Sequence, residues 1–393
     1  MRNRSGPPVS GDDFAFRERE LRFAEQALLD GNSILLFGLR RIGKTSLLQE
    51  LKRRLEADGR AWCCLVDVQD KESASEFFLE LLDALPATAG QALGKWIGKA
   101  RTLPNSLWST LQKRVRKGSF GGAGIELDKD ILDYWKPLAD AVEKTVPGLD
   151  RPVVLLIDEL PFFIENLHAR GEDTALVKQV LATLRSWRHA GVPMALAGSI
   201  SIDQLLEDLG VSNLVLNDVS RLELHPLPRE EAREMLRRLA TAKDLAGWDD
   251  TTIDAVLDRL DDWFPFFLQC AFHHLQHEEP GDGFRLEEIF ARHIEPDLQR
   301  SFFAQFDDRL TRRFPEKERK AAEQVLNLMA RGEPPSLAIG QIKKIASPHV
   351  VDLTGLVRRL EVQQFIRPVA GKPGHYEFPF RLVRRWRQAR GGA

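Results

Sequence analysis

The chain has little cysteine. Three residues in 393, two of them the adjacent Cys63 and Cys64, cannot build a disulfide framework. That pair falls in the apolar run Trp62-Cys63-Cys64-Leu65-Val66-Asp67-Val68, which reads as a strand, so both thiols are expected to pack in a core in a reducing cytoplasm. Long hydrophobic runs are missing too. No stretch reaches the roughly 18 apolar residues of a membrane-spanning helix. The first residues, Met1-Arg2-Asn3-Arg4-Ser5-Gly6-Pro7-Pro8, hold no apolar segment and so no signal peptide. Net charge is nearly absent: the formal value of −2 excludes bulk attraction to nucleic acid or an anionic membrane. What remains, 43% hydrophobic and 29% charged residues, is the composition of a soluble globular protein. The length asks for two or three domains.

Phosphate chemistry is what the chain does contain. Residues 38–45, Gly38-Leu39-Arg40-Arg41-Ile42-Gly43-Lys44-Thr45, have the spacing G-x-x-x-x-G-K-T. The apolar run Ser33-Ile34-Leu35-Leu36-Phe37 precedes them and Ser46-Leu47-Leu48-Gln49-Glu50-Leu51 follows. The motif thus falls between a strand and a helix, the context a phosphate-binding loop needs. Backbone N–H groups of the loop and of the helix start, through Ser46, then point at anionic oxygens. Gly38 and Gly43 let the backbone come close. Lys44 reaches the β- and γ-phosphates and Thr45 offers a hydroxyl to Mg²⁺. The expected ligands are ATP and Mg²⁺.

Val153-Val154-Leu155-Leu156-Ile157 reads as a strand buried on both faces, as in a parallel sheet, and it ends in Asp158-Glu159. Asp158 fits the Mg²⁺-holding acid. Glu159 fits the base that deprotonates the attacking water. Alone, the pair would equally suit a helix start, where carboxylates are favoured. A further apolar run, Val192-Pro193-Met194-Ala195-Leu196-Ala197, closes on Gly198-Ser199. Ser199 at that strand end can touch the γ-phosphate or the attacking water; it, or Ser201, can also simply cap the next helix.

Residues 1–11, rich in Gly, Pro and Arg, are expected to be disordered. A helix is predicted over 14–30. Strands near 33–37, 62–68, 153–157 and 192–198, with a short one at 221–224, alternate with helices, the α/β pattern of a parallel sheet. An insertion at about 86–136 holds the basic cluster Lys113-Arg114-Val115-Arg116-Lys117 and a glycine-rich stretch at 118–124. That cluster suits a phosphate backbone or, equally, a solvated face. Helices near 229–240, 250–261, 265–278 and 286–310 read as a lid. His273 and His277 on the third lie one turn apart, but no further ligand is evident, so they are expected on its surface. Beyond 314 the pattern predicts helices at 316–331, 336–345 and from Ser347-Pro348 on, then a hairpin over 365–378. Three helices and a hairpin make a winged helix-turn-helix. From Arg358 onward this tail carries Arg358, Arg359, Arg367, Lys372, Arg381, Arg384, Arg385, Arg387 and Arg390 against Glu361 and Glu377, which makes it a DNA-binding candidate. Its Phe378, Phe380, Leu382, Val383 and Trp386 suit packing on a neighbour instead. The expected organisation is an α/β P-loop core at 12–225, a helical lid at 226–312 and a winged helix at 315–393.

These residues together resemble the archaeal-ATPase-like members of the STAND and AAA+ P-loop ATPases over nearly the whole chain. Phe16-Arg17-Glu18-Arg19-Glu20-Leu21 is similar to the family's opening helix F-x-x-R-E-x-E-L, which implies that Arg17 lies near the nucleotide base. Gly38 to Leu48 is similar to its G-x-R-R-x-G-K-T-S-L-L, and Ile157-Asp158-Glu159-Leu160-Pro161 to its second phosphate-site motif. Leu224-His225-Pro226-Leu227 resembles its L-x-P-L lead into the lid. Gly198-Ser199-Ile200 and Asn217-Asp218 resemble segments of some bacterial relatives. Trp263-Phe264-Pro265-Phe266-Phe267 keeps the Pro of the family's nucleotide-sensing G-x-P without its Gly. The resemblance implies a sensing role for Pro265 and an arginine finger at Arg221, acting on a neighbouring subunit's ATP in a homo-oligomer, although Ser220 stands where relatives commonly have Gly. Two functional classes follow. The first is a slow Mg²⁺-dependent ATPase whose hydrolysis works a switch on a protein partner through the tail. The alternative is an ATP-regulated DNA-binding protein using the basic tail and the basic insertion. A nucleotide-binding scaffold without hydrolysis is disfavoured by intact Lys44, Asp158 and Glu159.

Overall fold

Five apolar runs form strands: β1 (Ser33–Phe37), β2 (Trp62–Asp67), β3 (Val153–Asp158), β4 (Met194–Gly198) and β5 (Val219–Glu223). They pair in parallel in the order β2-β3-β4-β1-β5. Helices cover the sheet, so β3 and β4 are buried along their whole length, and that is why they read as unbroken apolar runs. The computed structural model describes residues 1–4, 6–99, 134–171, 174–199, 201–260, 262–278, 285–332, 335–350 and 352–390. The basic cluster at 113–117, the glycine stretch at 118–124 and Ile200 lie outside these residues. Among the described residues no helix is long and apolar enough to cross a membrane.

The described chain divides into two compact units. One comprises 8–38 and 44–224; the other comprises 1–7, 39–43 and 225–393. In the first, α1 (Glu18–Leu29) starts four residues later than its periodicity suggests, because Phe16 has a left-handed φ of 64° that no helix accepts. After β1 comes α2 (Lys44–Ala57). Then α3 (Ala74–Asp83) opens on a reciprocal cap between Ser73 and Glu76. Phe77 of α3 stacks on Phe163 at 4.7 Å and Phe78 on Trp135 at 5.6 Å, filling one side of the sheet. Cys63 and Cys64 are buried, and burial pushes both thiols up to about 12, so they pack and do not react.

The stretch before α1 departs from the disorder expected of it. The Val9 N–H donates to Ser46 Oγ (3.1 Å) and the Gly11 N–H to Glu50 Oε2 (2.8 Å). Glu50 is 2% exposed and also accepts from Arg53 (2.7 and 2.9 Å) and Arg54 (2.9 Å). Burial acts against its charge, yet these donors hold its carboxyl down at about 2. Because the folded value lies below the ordinary 4.5, the stabilisation is present above that pH and is lost as pH falls toward 2. Glu50→Gln is therefore expected to cost about 3 kcal/mol of unfolding free energy at pH 7. Urea unfolding of variant and parent will measure it, and their difference should shrink as pH falls below 4.5. A difference that does not change with pH would remove the charge from the explanation.

In the second unit, α4 (Arg229–Thr241), α5 (Asp250–Leu260) and α6 (Pro265–Leu275) precede one long helix, α7, over 286–313. Two stretches of α7, Phe290–Ile294 and Gln299–Phe303, widen to π-helical turns. Then follow α8 (Glu316–Arg331), β6 (Ser336–Ala338), α9 (Ile339–Ala346), α10 (Leu353–Val362), β7 (Arg367–Pro368), β8 (His375–Glu377) and α11 (Arg381–Arg390). The helix expected from Ser336 thus begins only at Ile339, after a three-residue strand. β6 and β7 both pair antiparallel with β8, in the order β6-β8-β7. The tail shares an aromatic core with the helices before it: Phe380 meets Phe264 at 4.9 Å, Trp386 stacks on Phe303 at 6.0 Å and Phe365 meets Phe306 at 5.7 Å.

Much of the tail's basic charge is used inside this unit. Arg384 donates to the Ala330 and Gly332 carbonyls, Arg385 to that of Arg259, and Arg387 to Asn327 Oδ1. Arg367 pairs with Glu377 at 2.8 Å and Arg359 with Glu318 at 3.3 Å.

Candidate functional site

β4 lies between β1 and β3, with Phe37 level with Gly198 and Ile157 level with Leu196. The C-terminal ends of these strands therefore bring Gly38, Ser199, Asp158 and Glu159 to one edge of the sheet, where open α/β sheets bind ligands. The loop after β1 needs its glycines for their backbone. Gly43 has a φ of 106° and Gly38 one of 147°. An added Cβ at Gly43 would meet nothing within 4 Å, so the requirement there is conformational and not steric. Arg41 takes a left-handed φ of 68° without being glycine.

Lys44 opens α2 and is 5% exposed; its Nζ donates to the Gly38 carbonyl at 3.0 Å. A buried ammonium thus sits on the loop's own backbone, ready to exchange that carbonyl for a phosphate oxygen. The Thr45 hydroxyl donates to Asp158 Oδ2 at 2.6 Å. Burial, opposed by this hydrogen bond, and the neighbouring Glu159 push Asp158 up to about 6. Asp67, level with Asp158 at the end of β2, adds to that push. A hydroxyl and a carboxylate in contact beside a phosphate-loop motif are hard oxygen donors, the set Mg²⁺ prefers. Thr45 and Asp158 fit the ion.

Glu159 is held in an unusual way. Its φ is 56°, left-handed for a residue with a Cβ, at a cost of about 1–3 kcal/mol. Its own N–H bonds Asp158 Oδ1 at 3.0 Å. Its Oε2 accepts from the Ser199 N–H at 3.1 Å and from Ser199 Oγ at 3.0 Å. Ser199 thus meets the carboxylate, while Ser201 is the residue that caps the helix Ile202–Asp208. No spacing rule could have found this pairing, since it joins the ends of two strands about 40 residues apart.

The structure draws Lys44, Thr45, Asp158, Glu159 and Ser199 together, and the other expected residues make contacts of their own. Arg17 is buried just before α1, with its NH1 3.1 Å from Glu20. Arg221 is level with Leu35 in mid-strand, two residues short of the edge, and grips Asp203 through two bonds of 2.6 and 2.7 Å. Ser46 accepts the Val9 N–H. Leu39–Gly43 belongs to the second unit, as does Pro265, the first residue of α6. There Arg41 lies over the Phe266 ring at 5.0 Å and donates to the Gly6 carbonyl at 3.1 Å. Arg40 is exposed, whereas Leu39 and Ile42 are buried.

Residues 29–206 match the family model of the AAA domain. A Walker-type ATPase of Pyrococcus abyssi is similar in structure over 98% of this chain and 99% of its own, with a TM-score of 0.63 and 18% identity. The ORC2 protein of Aeropyrum pernix, solved as ADPNP and ADP complexes, is similar over 98% and 97%, with a TM-score of 0.56 and 11% identity. No curated protein is significantly similar to the chain in sequence. The structural likenesses carry the fold. With the match to the AAA domain over residues 29–206 and the phosphate-loop motif they mark the chain as a P-loop ATPase.

Proposed function

We propose that this ATPase is a nucleotide-driven switch of the STAND type, in which hydrolysis in the sheet unit alters the state of the C-terminal tail and, through it, a protein partner. The observation that carries this reading is Arg41 of the phosphate loop, which takes a left-handed φ of 68°, lies over the Phe266 ring of α6 at 5.0 Å and donates to the Gly6 carbonyl. A ligand that reshapes the loop is expected to move Arg41 and, with it, α6.

The chemistry assigns each residue a task. Backbone N–H groups of residues 38–46 and the Lys44 ammonium hold the phosphates. Thr45 and Asp158 would hold Mg²⁺, which when bound neutralises charge on the β- and γ-phosphate oxygens. Glu159 takes the proton of the water that attacks the γ-phosphorus as the bond to the β-phosphate oxygen breaks, leaving ADP and phosphate. Ser199 sets where that carboxylate stands. Arg17 and Pro265 are proposed to face the nucleotide. Arg221 is proposed to act only on a neighbouring subunit of a homo-oligomer, after releasing Asp203.

We read 12–225, 226–312 and 315–393 as core, lid and winged helix. The order helix–strand–helix–helix–strand–strand across α8 to β8, with its antiparallel three-stranded sheet, supports the last of these. A protein partner is favoured over DNA because Arg359, Arg367, Arg384, Arg385 and Arg387 already bond groups of their own unit.

Hydrogen exchange on the full chain tests the switch. Adding ATP with Mg²⁺ should change amide protection within 316–390 by about fivefold or more, the lower end of ordinary coupling between sites. Phe266→Ala should remove most of that change while leaving ATP bound. Identical exchange in that region with and without nucleotide would end the switch reading and leave an ATPase with an uncoupled appendage.

A further inference from the structure

α6 carries Cys270 and His274 four residues apart, and α7 carries His293 and Asp297 with the same spacing. One helical turn separates the members of each pair, so each pair shares a helix face. The two faces meet. The sulfur of Cys270, a ring nitrogen of His274 and a carboxylate oxygen of Asp297 all lie within 4.8 Å of one another. His274 Nε2 is 2.6 Å from Asp297 Oδ2, and the His293 ring stacks on that of His274 at 5.7 Å between centroids. Arg300 bonds the other oxygen, Oδ1, and so fixes the carboxylate with Oδ2 toward the histidine. Cys270 is buried, His274 and Asp297 are partly buried, and His293 is exposed at the outer side.

The backbone supplies a second observation. Two π-helical turns, Phe290–Ile294 and Gln299–Phe303, flank the short α-helical segment Glu295–Leu298 that carries Asp297, and His293 lies in the first of them. Such turns are rare, interrupt regular packing, and concentrate at functional sites. An ion pair between two helices requires neither a widened helix nor a thiol and a second imidazole beside it.

We propose that Cys270, His274, Asp297 and His293 bind one zinc ion, which ties α6 to α7. A thiolate, two imidazoles and a carboxylate form a mixed set that suits Zn²⁺, whereas Mg²⁺ and Ca²⁺ take oxygen ligands. Zinc bonds of roughly 2.0–2.3 Å in tetrahedral geometry place ligand atoms about 3.3–3.7 Å apart. The Cys270 sulfur, within 4.8 Å of the other two groups, needs to approach by roughly 1 Å, the His274–Asp297 hydrogen bond opens by somewhat less, and the exposed His293 ring turns inward to take the fourth position. The Zn–S bond forms as the Cys270 thiol gives its proton to solvent. Arg300 becomes the outer partner that orients the ligating carboxylate.

Titration of the untagged full chain with Co²⁺, then Zn²⁺, tests this. One Co²⁺ per chain should bind with the visible bands of a tetrahedral site and a thiolate-to-cobalt charge-transfer band, and Zn²⁺ should displace it. Cys270→Ser should abolish the charge-transfer band. Asp297→Asn and His293→Ala should each weaken binding about tenfold or more, since even outer partners cost that much. His277→Ala, in the turn just after α6, should bind as the parent does. The proposal fails if the parent gives no saturable signal, if the charge-transfer band persists in Cys270→Ser, or if Asp297→Asn binds unchanged. The parent titration needs no variant to fold, and ATP binding is read separately, so a negative result here leaves the switch untouched.

Discussion

Lys44→Ala should lower ATP affinity by about a hundredfold. A charge-assisted hydrogen bond contributes about 1.5–3 kcal/mol, and each 1.4 kcal/mol is a factor of ten in affinity. Lys44 sits at the upper end of that range because it is 5% exposed, so water screens it little. Its Nζ already spends one donor on the Gly38 carbonyl at 3.0 Å. Binding therefore exchanges one oxygen for another and adds the charge of the phosphates. The loop's N–H groups and Thr45 remain in the variant, so loss of affinity with an intact fold isolates the ammonium. Titration with a fluorescent ATP analogue measures it, with urea unfolding as the control for folding. Unchanged affinity would remove Lys44 from the site and with it the phosphate-loop assignment.

The parts of this molecule that could be read in its sequence are those fixed by neighbours along the chain. β1, β3 and β4 are continuous apolar runs because helices cover both faces of the sheet, and the loop spacing from Gly38 to Thr45 is a local geometric demand. The parts that could not be read are contacts between distant segments. Glu50 looks like a helix-surface glutamate, yet the Gly11 N–H, Arg53 and Arg54 close over it. Arg384, Arg385 and Arg387 read as a basic face, yet they bond backbone and an asparagine of earlier helices. His273 and His277 drew attention by their spacing, while the cluster forms around their neighbour His274, whose partners are Cys270 of α6 and Asp297 of α7. The turn at Phe16 and the short strand β6 were hidden for another reason. Each depends on a backbone state that side-chain periodicity does not encode.

Glu159→Gln should keep ATP binding and lower turnover by about 10²–10⁴, the reach of a general base. Two features of the structure set that expectation. The left-handed φ of 56° costs energy that a surface glutamate at a helix start would avoid, and the proposed catalytic role gives a reason to hold it. And Oε2 accepts both the N–H and the Oγ of Ser199, so the carboxylate is parked at the sheet edge and must leave Ser199, or turn its free oxygen, to reach the attacking water. Glutamine can still accept both bonds, so the fold and the parked position survive while the base is gone. Ser199→Ala separates the two roles. It removes one of the two bonds and leaves the base, so turnover should rise a fewfold if Ser199 restrains Glu159, the scale of one hydrogen bond to a charge partly replaced by water. A fall instead would mean that Ser199 positions the water itself. Single-turnover hydrolysis of radiolabelled ATP by parent, Glu159→Gln and Ser199→Ala measures both effects on the chemical step. Parent-like turnover in Glu159→Gln would move the base to another carboxylate, with Asp67, level with Asp158 at the end of β2, the first to substitute.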